Sequence, residues 1–457
     1  MGMSLGKKLL LINAAALTCP GTINLAAETE ESGNFYTYTT PENIIFLIGD
    51  GMGIEYVSAY RYLQDDARTA IVDDTAFDPY LTGMQSTHAD DPEANVTDSA
   101  AAATAMAAGV KTYNSSIAVD NDRSAVQTVL EAAKAQGKAT GLVVTSEVTH
   151  ATPAAFAAHV ADRQNMRAIA DDYYDDRIDG AHKIDVLFGG GRDLLIRSDR
   201  NLVEEFQTDG YSYVDSRVEL RQNRDSRVVG LFADRGLPYS IDRTNDVPSL
   251  AEMTESAIER LSRDDDGFFL LVEGSQIDWA GHDNDIVAAM SEMADFEQAF
   301  QTAIDFAQED GDTLVIATAD HSVGGLSVGA DGYYDWDGDS VRTARRTPDF
   351  IAREILTGAD VQETLDAYIG IELRSEEIAA VRKAARTEGF SATDDAIEAI
   401  FDARSHTGWT TDGHTGEDVP VYAAGPGRTQ FAGHIDNTDI AKKLFRLLGA
   451  DADITDE

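Results

Sequence analysis

The run Thr313-Leu-Val-Ile-Ala-Thr-Ala-Asp320-His321-Ser-Val-Gly-Gly325 is a short β-branched apolar segment that ends on an adjacent Asp and His and then a glycine pair. Its length and composition predict a buried parallel strand. In open α/β sheets ligands bind just beyond the carboxyl ends of such strands. A carboxylate and an imidazole delivered there together suit a divalent metal that takes mixed oxygen and nitrogen ligands, zinc above all. Taken alone, the same run also reads as a strand followed by a polar turn. Other strands that end on acids favour the metal.

Two such strands follow from the same reading. Asn43-Ile-Ile-Phe-Leu-Ile-Gly-Asp50 ends on Asp50 before Gly51-Met-Gly53, and Gly267-Phe-Phe-Leu-Leu-Val-Glu273 ends on Glu273. Further strands are expected at 139–145, at 185–191, which runs into Gly189-Gly-Gly191, and at Val419–Ala423 as the last of the chain. Helical patterns fall at 54–63, Ser99–Gly109, 124–136, 153–180, 286–308 and 437–448. Strands alternating with helices predict an α/β fold with a large, mostly parallel central sheet covered by helices on both faces. Residues 331–404 change character, from an Asp-rich aromatic loop to charged helical patterns. They read as a smaller insertion or lid within one core of 42–330 and 405–450.

Composition narrows the function. The 457 residues are 43% hydrophobic, enough for a large core. Against 36 Lys and Arg stand 81 Asp and Glu, a formal charge of −45. That argues against a nucleic-acid surface, which needs basic patches, and against an anionic membrane surface. The acids are scattered as Asp65-Asp66, Asp171-Asp172 and Asp264-Asp265-Asp266 rather than gathered in one tail, which suggests a surface adapted to high salt. Residues 1–27 read as a secretory signal: Lys7-Lys8, a short apolar run, and Leu25-Ala26-Ala27 as a cleavage site. The run is too short to span a membrane, and no other stretch is long and apolar enough. The expected destination is export, to the periplasm or the exterior. The single cysteine, Cys19, excludes a disulfide framework.

The acids at the strand ends converge on one edge of a doubly wound sheet, where they repel one another unless cations neutralise them. This calls for more than one metal. Glu273-Gly-Ser-Gln-Ile-Asp278-Trp-Ala-Gly-His282 puts Asp278 and His282 four residues apart, on one face if helical, where they can share a zinc. His414, in Thr411-Asp-Gly-His-Thr-Gly-Glu417, could add another imidazole. Singly, each of these histidines also fits a polar turn. Ser99 follows Thr97-Asp98 at the start of an alanine-rich helix. Asp98 or Ser99 can simply cap that helix. The same helix end offers free N–H groups to a phosphate, and a metal could activate the Ser99 hydroxyl as a nucleophile. Thr152-Pro153 reads as a helix N-cap with proline at the first position. Arg163 either pairs with a surface acid or grips two phosphate oxygens with its planar fork.

Together the segments Ile45–Gly53, Val96–Gly109, Val144–Arg163, Phe268–His282, Thr318–Leu326 and His414–Gly427, in this order, resemble the alkaline phosphatases. The resemblance implies that family's sheet, with 331–404 as its variable, crown-like insertion, and a homodimer. It implies two zinc ions and a third site, usually magnesium. Asp278, His282 and His414 would hold the first zinc, and Asp50, Asp320 and His321 the second, beside Ser99. Asp50, Thr152 and Glu273 would hold the magnesium, and Arg163 would bind the substrate phosphate. Phosphate monoesters would be hydrolysed through a phosphoserine on Ser99. His150 and Trp279 stand where some members carry aspartate and lysine, which leaves magnesium or zinc open for the third site. Asp331, Asp335, Asp337 and Asp339 read as a solvated acidic loop or, less simply, a calcium site. Two rival readings remain. One is a phosphodiesterase or sulfatase of the same superfamily. The other is a non-catalytic exported protein that binds metal or phosphate.

Overall fold

A computed structural model describes residues 40–66 and 68–450. The secretory signal at 1–27 and Cys19 lie outside the described residues. The central sheet has ten strands: β1 (Asn43–Gly49), β2 (Leu81–Ser86), β3 (Ala139–Glu147), β4 (Val186–Gly190), β5 (Ser212–Val214), β6 (Val228–Leu231), β7 (Phe268–Gly274), β8 (Thr313–Ala319), β9 (Val419–Ala424) and β10 (Gly433–Asp436). Their order across the sheet is β10-β2-β9-β8-β1-β7-β3-β4-β6-β5. Only β9 runs against the rest. The sheet is therefore the mostly parallel one the alternation predicts.

Strand β1 shows why its sequence is continuously apolar. Ile45 and Leu47 enter one core with Met290, Phe296 and Phe300, while Ile44, Phe46 and Ile48 enter a second with Met106, Leu130 and Leu444. Successive side chains of a strand face opposite ways, so a strand covered on both faces needs apolar residues at every position. Helices Leu250–Leu261 and Ile286–Asp310 cover the first face. Helices Ser99–Ala108, Val129–Ala135 and Thr438–Leu448 cover the second. Residues 331–404 fold into helices, the longest being Ser375–Thr387 and Phe390–Ser405. Their Ile351, Leu365, Val381 and Phe401 join the first core.

Several boundaries differ from the sequence reading. Val419–Ala424 is not the last strand. Gly433–Asp436 follows it and pairs with Leu81–Ser86, and neither was expected, since Leu-Thr-Gly-Met-Gln-Ser carries no clear apolar period. The expected helix at 124–136 begins only at Val129, where Thr128 and Glu131 form a reciprocal capping box. The helical pattern at 153–180 splits into Ala151–Ala157 and Met166–Asp175. The irregular residues between them carry Arg163 back toward Ser115, whose carbonyl accepts from the Arg163 N–H at 2.8 Å.

Candidate active site

Parallel neighbours β8, β1 and β7 place Asp320, Asp50 and Glu273 side by side at one edge of the sheet. Gly51 lets the chain leave β1 in a left-handed turn at φ +72, close enough to the Asp278 backbone that an added Cβ would sit 2.8 Å from its Cα. The Gly51 and His321 N–H groups each donate to Asp320 Oδ1 at 3.0 Å. These bonds hold Asp320 with its second oxygen toward Asp50 and His321. His321 Nε2 lies 3.3 Å from Asp320 Oδ2 and 3.5 Å from Asp50 Oδ1.

Asp278 and His282 share one face of the short helix Gln276–His282. The backbone pairing of His414–Thr415 with Ser322–Val323 brings His414 to the same place. His282 Nε2 and His414 Nε2 stand 3.4 and 3.5 Å from Asp278 Oδ1, and 3.0 Å from each other. Their other ring nitrogens face backbone carbonyls, His282 Nδ1 that of Asp412 at 2.5 Å and His414 Nδ1 that of Thr97 at 2.8 Å. A carbonyl only accepts, so each Nδ1 donates, and the two Nε2 atoms face each other beside a carboxylate. Two ring nitrogens and a carboxylate oxygen so close together are a donor set that suits a cation, and the carbonyls orient both rings toward it.

Ser99 opens the helix Ser99–Ala108 and is 2% exposed. Its Oγ is 3.4 Å from Asp50 Oδ1 and 3.2 Å from His321 Nε2. Asp98 caps the helix by accepting from the Ala101 N–H at 3.0 Å, and with its other oxygen it binds Arg163 Nη1, also at 3.0 Å. The capping reading of Asp98 is thus correct, and the same side chain aims Arg163. Sequence reasoning missed that second role because the partner is 65 residues away. Arg163 Nη2 donates to His150 Nε2 at 3.1 Å, and Trp279 packs edge-on against the His150 ring at 5.8 Å.

Thr152 is not the N-cap expected from Thr152-Pro153. The helix starts at Ala151 behind His150, and the Thr152 hydroxyl is buried with no partner. Ser275, also missed, donates to Glu273 Oε2 at 2.7 Å. Asp50, Glu273 and His150 bring ligating atoms within 4.8 Å of one another, as do Asp50, Asp320 and His321, and Asp278, His321 and His414. Among the described residues Asp331, Asp335, Asp337 and Asp339 join no such group, and Asp337 caps the helix Gly338–Arg342 instead.

The electrostatics match this crowding. Asp50 Oδ2, Glu273 Oε1, Asp278 Oδ1, Asp320 Oδ2, His321 Nδ1, His150 Nδ1 and Thr152 Oγ1 are all buried without a hydrogen-bond partner. Burial, and then the neighbouring carboxylates, push Asp50 well above the usual range. Burial pushes Glu273 up to about 8 and Asp278 up to about 7. Burial first, and then nearby positive charge, lowers His321 and His150 to about 3. A fold with this many unpaired buried donor atoms at one rim fits divalent cations: carboxylates, imidazoles and a hydroxyl are the ligands zinc and magnesium take.

Comparison with known proteins gives the family. Residues 41–450 match the family model described as alkaline phosphatase. The chain is 62% identical over 419 residues to alkaline phosphatase 3 of Bacillus subtilis, covering 91% of each chain. Among solved structures it is similar to a cold-active alkaline phosphatase from Shewanella sp., with 43% identity, a TM-score of 0.84, and coverage of 89% of this chain and 99% of that one. It is also similar to a variant of the TAB5 alkaline phosphatase with Mg bound in its M3 site, with 29% identity, a TM-score of 0.67, and coverage of 91% and 99%.

Proposed function

The chain belongs to the alkaline phosphatase family and is a phosphatase, and we propose that it hydrolyses phosphate monoesters through a phosphoserine on Ser99. The observation that carries this reading is the Ser99 hydroxyl at a helix N-terminus, 3.4 Å from Asp50 and 3.2 Å from His321, facing a rim of unpaired ligand atoms. Asp278, His282 and His414 would hold one zinc, Asp50, Asp320 and His321 a second, and Asp50, Thr152 and Glu273, with His150 beside them, a third ion, magnesium. When bound, these cations supply Lewis acidity to the Ser99 oxygen and to the leaving oxygen.

The chain's own residues do the rest. Ser99 Oγ attacks phosphorus in line while the bond to the alcohol oxygen breaks, and the proton Ser99 gives up leaves on the alcohol. Water then attacks the same phosphorus, the bond to Ser99 Oγ breaks, and Oγ takes a proton that this water gives up as phosphate leaves. Arg163 holds two non-bridging oxygens with N–H groups left free by Asp98 and His150, and the first N–H groups of the Ser99 helix meet the charge that builds there. His321 touches Ser99, but its very low proton affinity suits a ligand lone pair rather than a base. Because the site grips phosphate and not the alcohol, specificity among monoesters is broad.

Residues 331–404 are read as an insertion into the core of 42–330 and 405–450. Family resemblance supports a homodimer. The segment 1–27 supports export to the periplasm or exterior, and the −45 charge supports adaptation to salt. Among the described residues no helix is long and apolar enough to cross a membrane.

The test is Ser99→Ala, assayed on a chromogenic monoester and a diester. The monoester rate should fall by about 10³-fold or more, as for other nucleophile deletions. The parent should prefer the monoester. Near-parental turnover by the variant would remove Ser99 from this role, and a faster diester rate in the parent would favour a phosphodiesterase.

A further inference from the structure

A second group of acids lies apart from Ser99. Asp283 and Asp285 form the turn between helices Gln276–His282 and Ile286–Asp310. Asp394, Glu398 and Asp402 recur every four residues along the helix Phe390–Ser405, and so share one face. Asp283, Asp394 and Glu398 each bring a carboxylate oxygen within 4.8 Å of the others.

An exposed acidic cluster would need no explanation, but here only Asp283 is exposed and the acids it meets are buried. Asp394 is 3% exposed, Glu398 7% and Asp285 1%. Asp394 Oδ1, Glu398 Oε1 and Asp285 Oδ2 are buried with no hydrogen-bond partner. The second oxygen of Asp285 caps the long helix through the Val287 and Ala288 N–H groups at 2.8 and 2.9 Å. Asp402 accepts from Trp409 Nε1 at 3.2 Å. Arg353, four residues on from Asp349, forks onto that carboxylate at 3.1 Å. Burial, and then the neighbouring acids, push Asp394 up to about 8 and Glu398 up to about 11. Like charges four apart on a helix destabilise it even in water, and burial makes the conflict worse.

We propose that Asp283, Asp394 and Glu398, with Asp285 beside them, form a calcium site separate from the catalytic rim. The donors are all oxygens and no imidazole is present, which selects a hard cation over zinc. Several carboxylates at irregular distances suit calcium's six to eight flexible ligands better than magnesium's strict octahedron. Calcium here ties the helix Phe390–Ser405 to the turn that follows His282.

The test uses full-length, zinc-loaded protein in saturating magnesium, melted with and without calcium chloride. The parent should gain about 3 °C from calcium at 100 times its dissociation constant. The double variant Asp394→Asn with Glu398→Gln should lose that gain, and without calcium it should melt at or above the parent, since two crowded buried carboxyls are replaced by neutral amides of the same shape. An equal gain in parent and variant, or the same gain from sodium chloride at matched ionic strength, would overturn the site. Metal analysis gives a readout that needs no variant: dialysed parent should keep one calcium per chain beyond its zinc, and none would sink the proposal.

Discussion

Glu131 and Glu273 are both buried glutamates with a histidine close by, and they behave in opposite ways. Glu131 Oε1 binds His159 Nε2 at 2.8 Å and Lys183 Nζ at 2.7 Å, and Lys183 reaches on to Asp176 at 2.5 Å. Burial alone would raise Glu131, but His159 and Lys183 outweigh it and bring the carboxyl down to about 2. Glu273 has Ser275 and no basic side chain bound to it, and burial leaves it at about 8. Glu131, His159 and Asp176 also gather ligating atoms within 4.8 Å, as tightly as the catalytic rim does. Closeness of acids and imidazoles therefore does not identify a metal site. What separates the two regions is whether the fold brings its own cation.

The largest effect should come from removing the cation that only one region needs. Treating the protein with a chelator should abolish phosphate-ester turnover, by about 10³-fold or more, and zinc with magnesium should restore it. Metal content after dialysis should be about three ions per chain at the rim, plus the calcium proposed above. The Glu131 cluster should not respond, which a probe of the Val129–Ala135 helix, such as amide exchange, can check. Full activity after exhaustive chelation would erase the distinction.

The converse experiment removes the built-in cation. Lys183 is 1% exposed at its side chain, so Lys183→Met leaves Glu131 and Asp176 short of a buried partner. Breaking such a pair costs about 3–5 kcal/mol. Denaturant melts should show that loss, while turnover per folded molecule stays at the parent level. A loss of turnover without a loss of stability would mean that the two regions are coupled.

The contrast also explains what was legible in the sequence. Asp50, Glu273 and Asp320 stood out because each ends an apolar strand, and the parallel sheet turns that pattern into neighbours at one edge. Asp278 and His282 were legible through their four-residue spacing. Asp98's grip on Arg163, the carbonyls that orient His282 and His414, and the Glu131–His159–Lys183 network were not. Each depends on a contact between distant segments with no local period to announce it. The strands Leu81–Ser86 and Gly433–Asp436 were missed for a related reason: short and semi-polar, they exist because they pair with each other, and Leu81–Ser86 with β9 as well. The calcium group escaped as well, because Asp283 and Asp394 are 111 positions apart.

The pH dependence of the two regions should have opposite signs. Glu131 is depressed from its usual value of about 4.3, so its contribution is present above that pH and is lost as pH falls toward 2, on the order of 3 kcal/mol in all. Glu273 and Asp278 are raised, so in metal-stripped protein their contribution is present below about 4 and is lost as pH rises through 7 to 8. Melting the stripped protein from pH 5 to 8 should show a falling midpoint that zinc and magnesium abolish. A flat profile in the stripped protein would mean that the rim relieves its own repulsion.

The smallest effect concerns His150, which stands between the two kinds of region. Its ring joins Asp50 and Glu273 in a metal-sized group, yet it also accepts a hydrogen bond from Arg163, a cation the fold supplies. Nitrogen donors favour zinc over magnesium, and carboxylates favour magnesium. His150→Asp should therefore make the third site more magnesium-selective, by about tenfold in the ratio of the two affinities. The new carboxylate would also face the Arg163 guanidinium and draw it by a charge-assisted bond. Activity titrated with magnesium at fixed zinc should then saturate at lower magnesium in the variant. An unchanged magnesium requirement would show that His150 serves Arg163 alone and contributes nothing to the third ion.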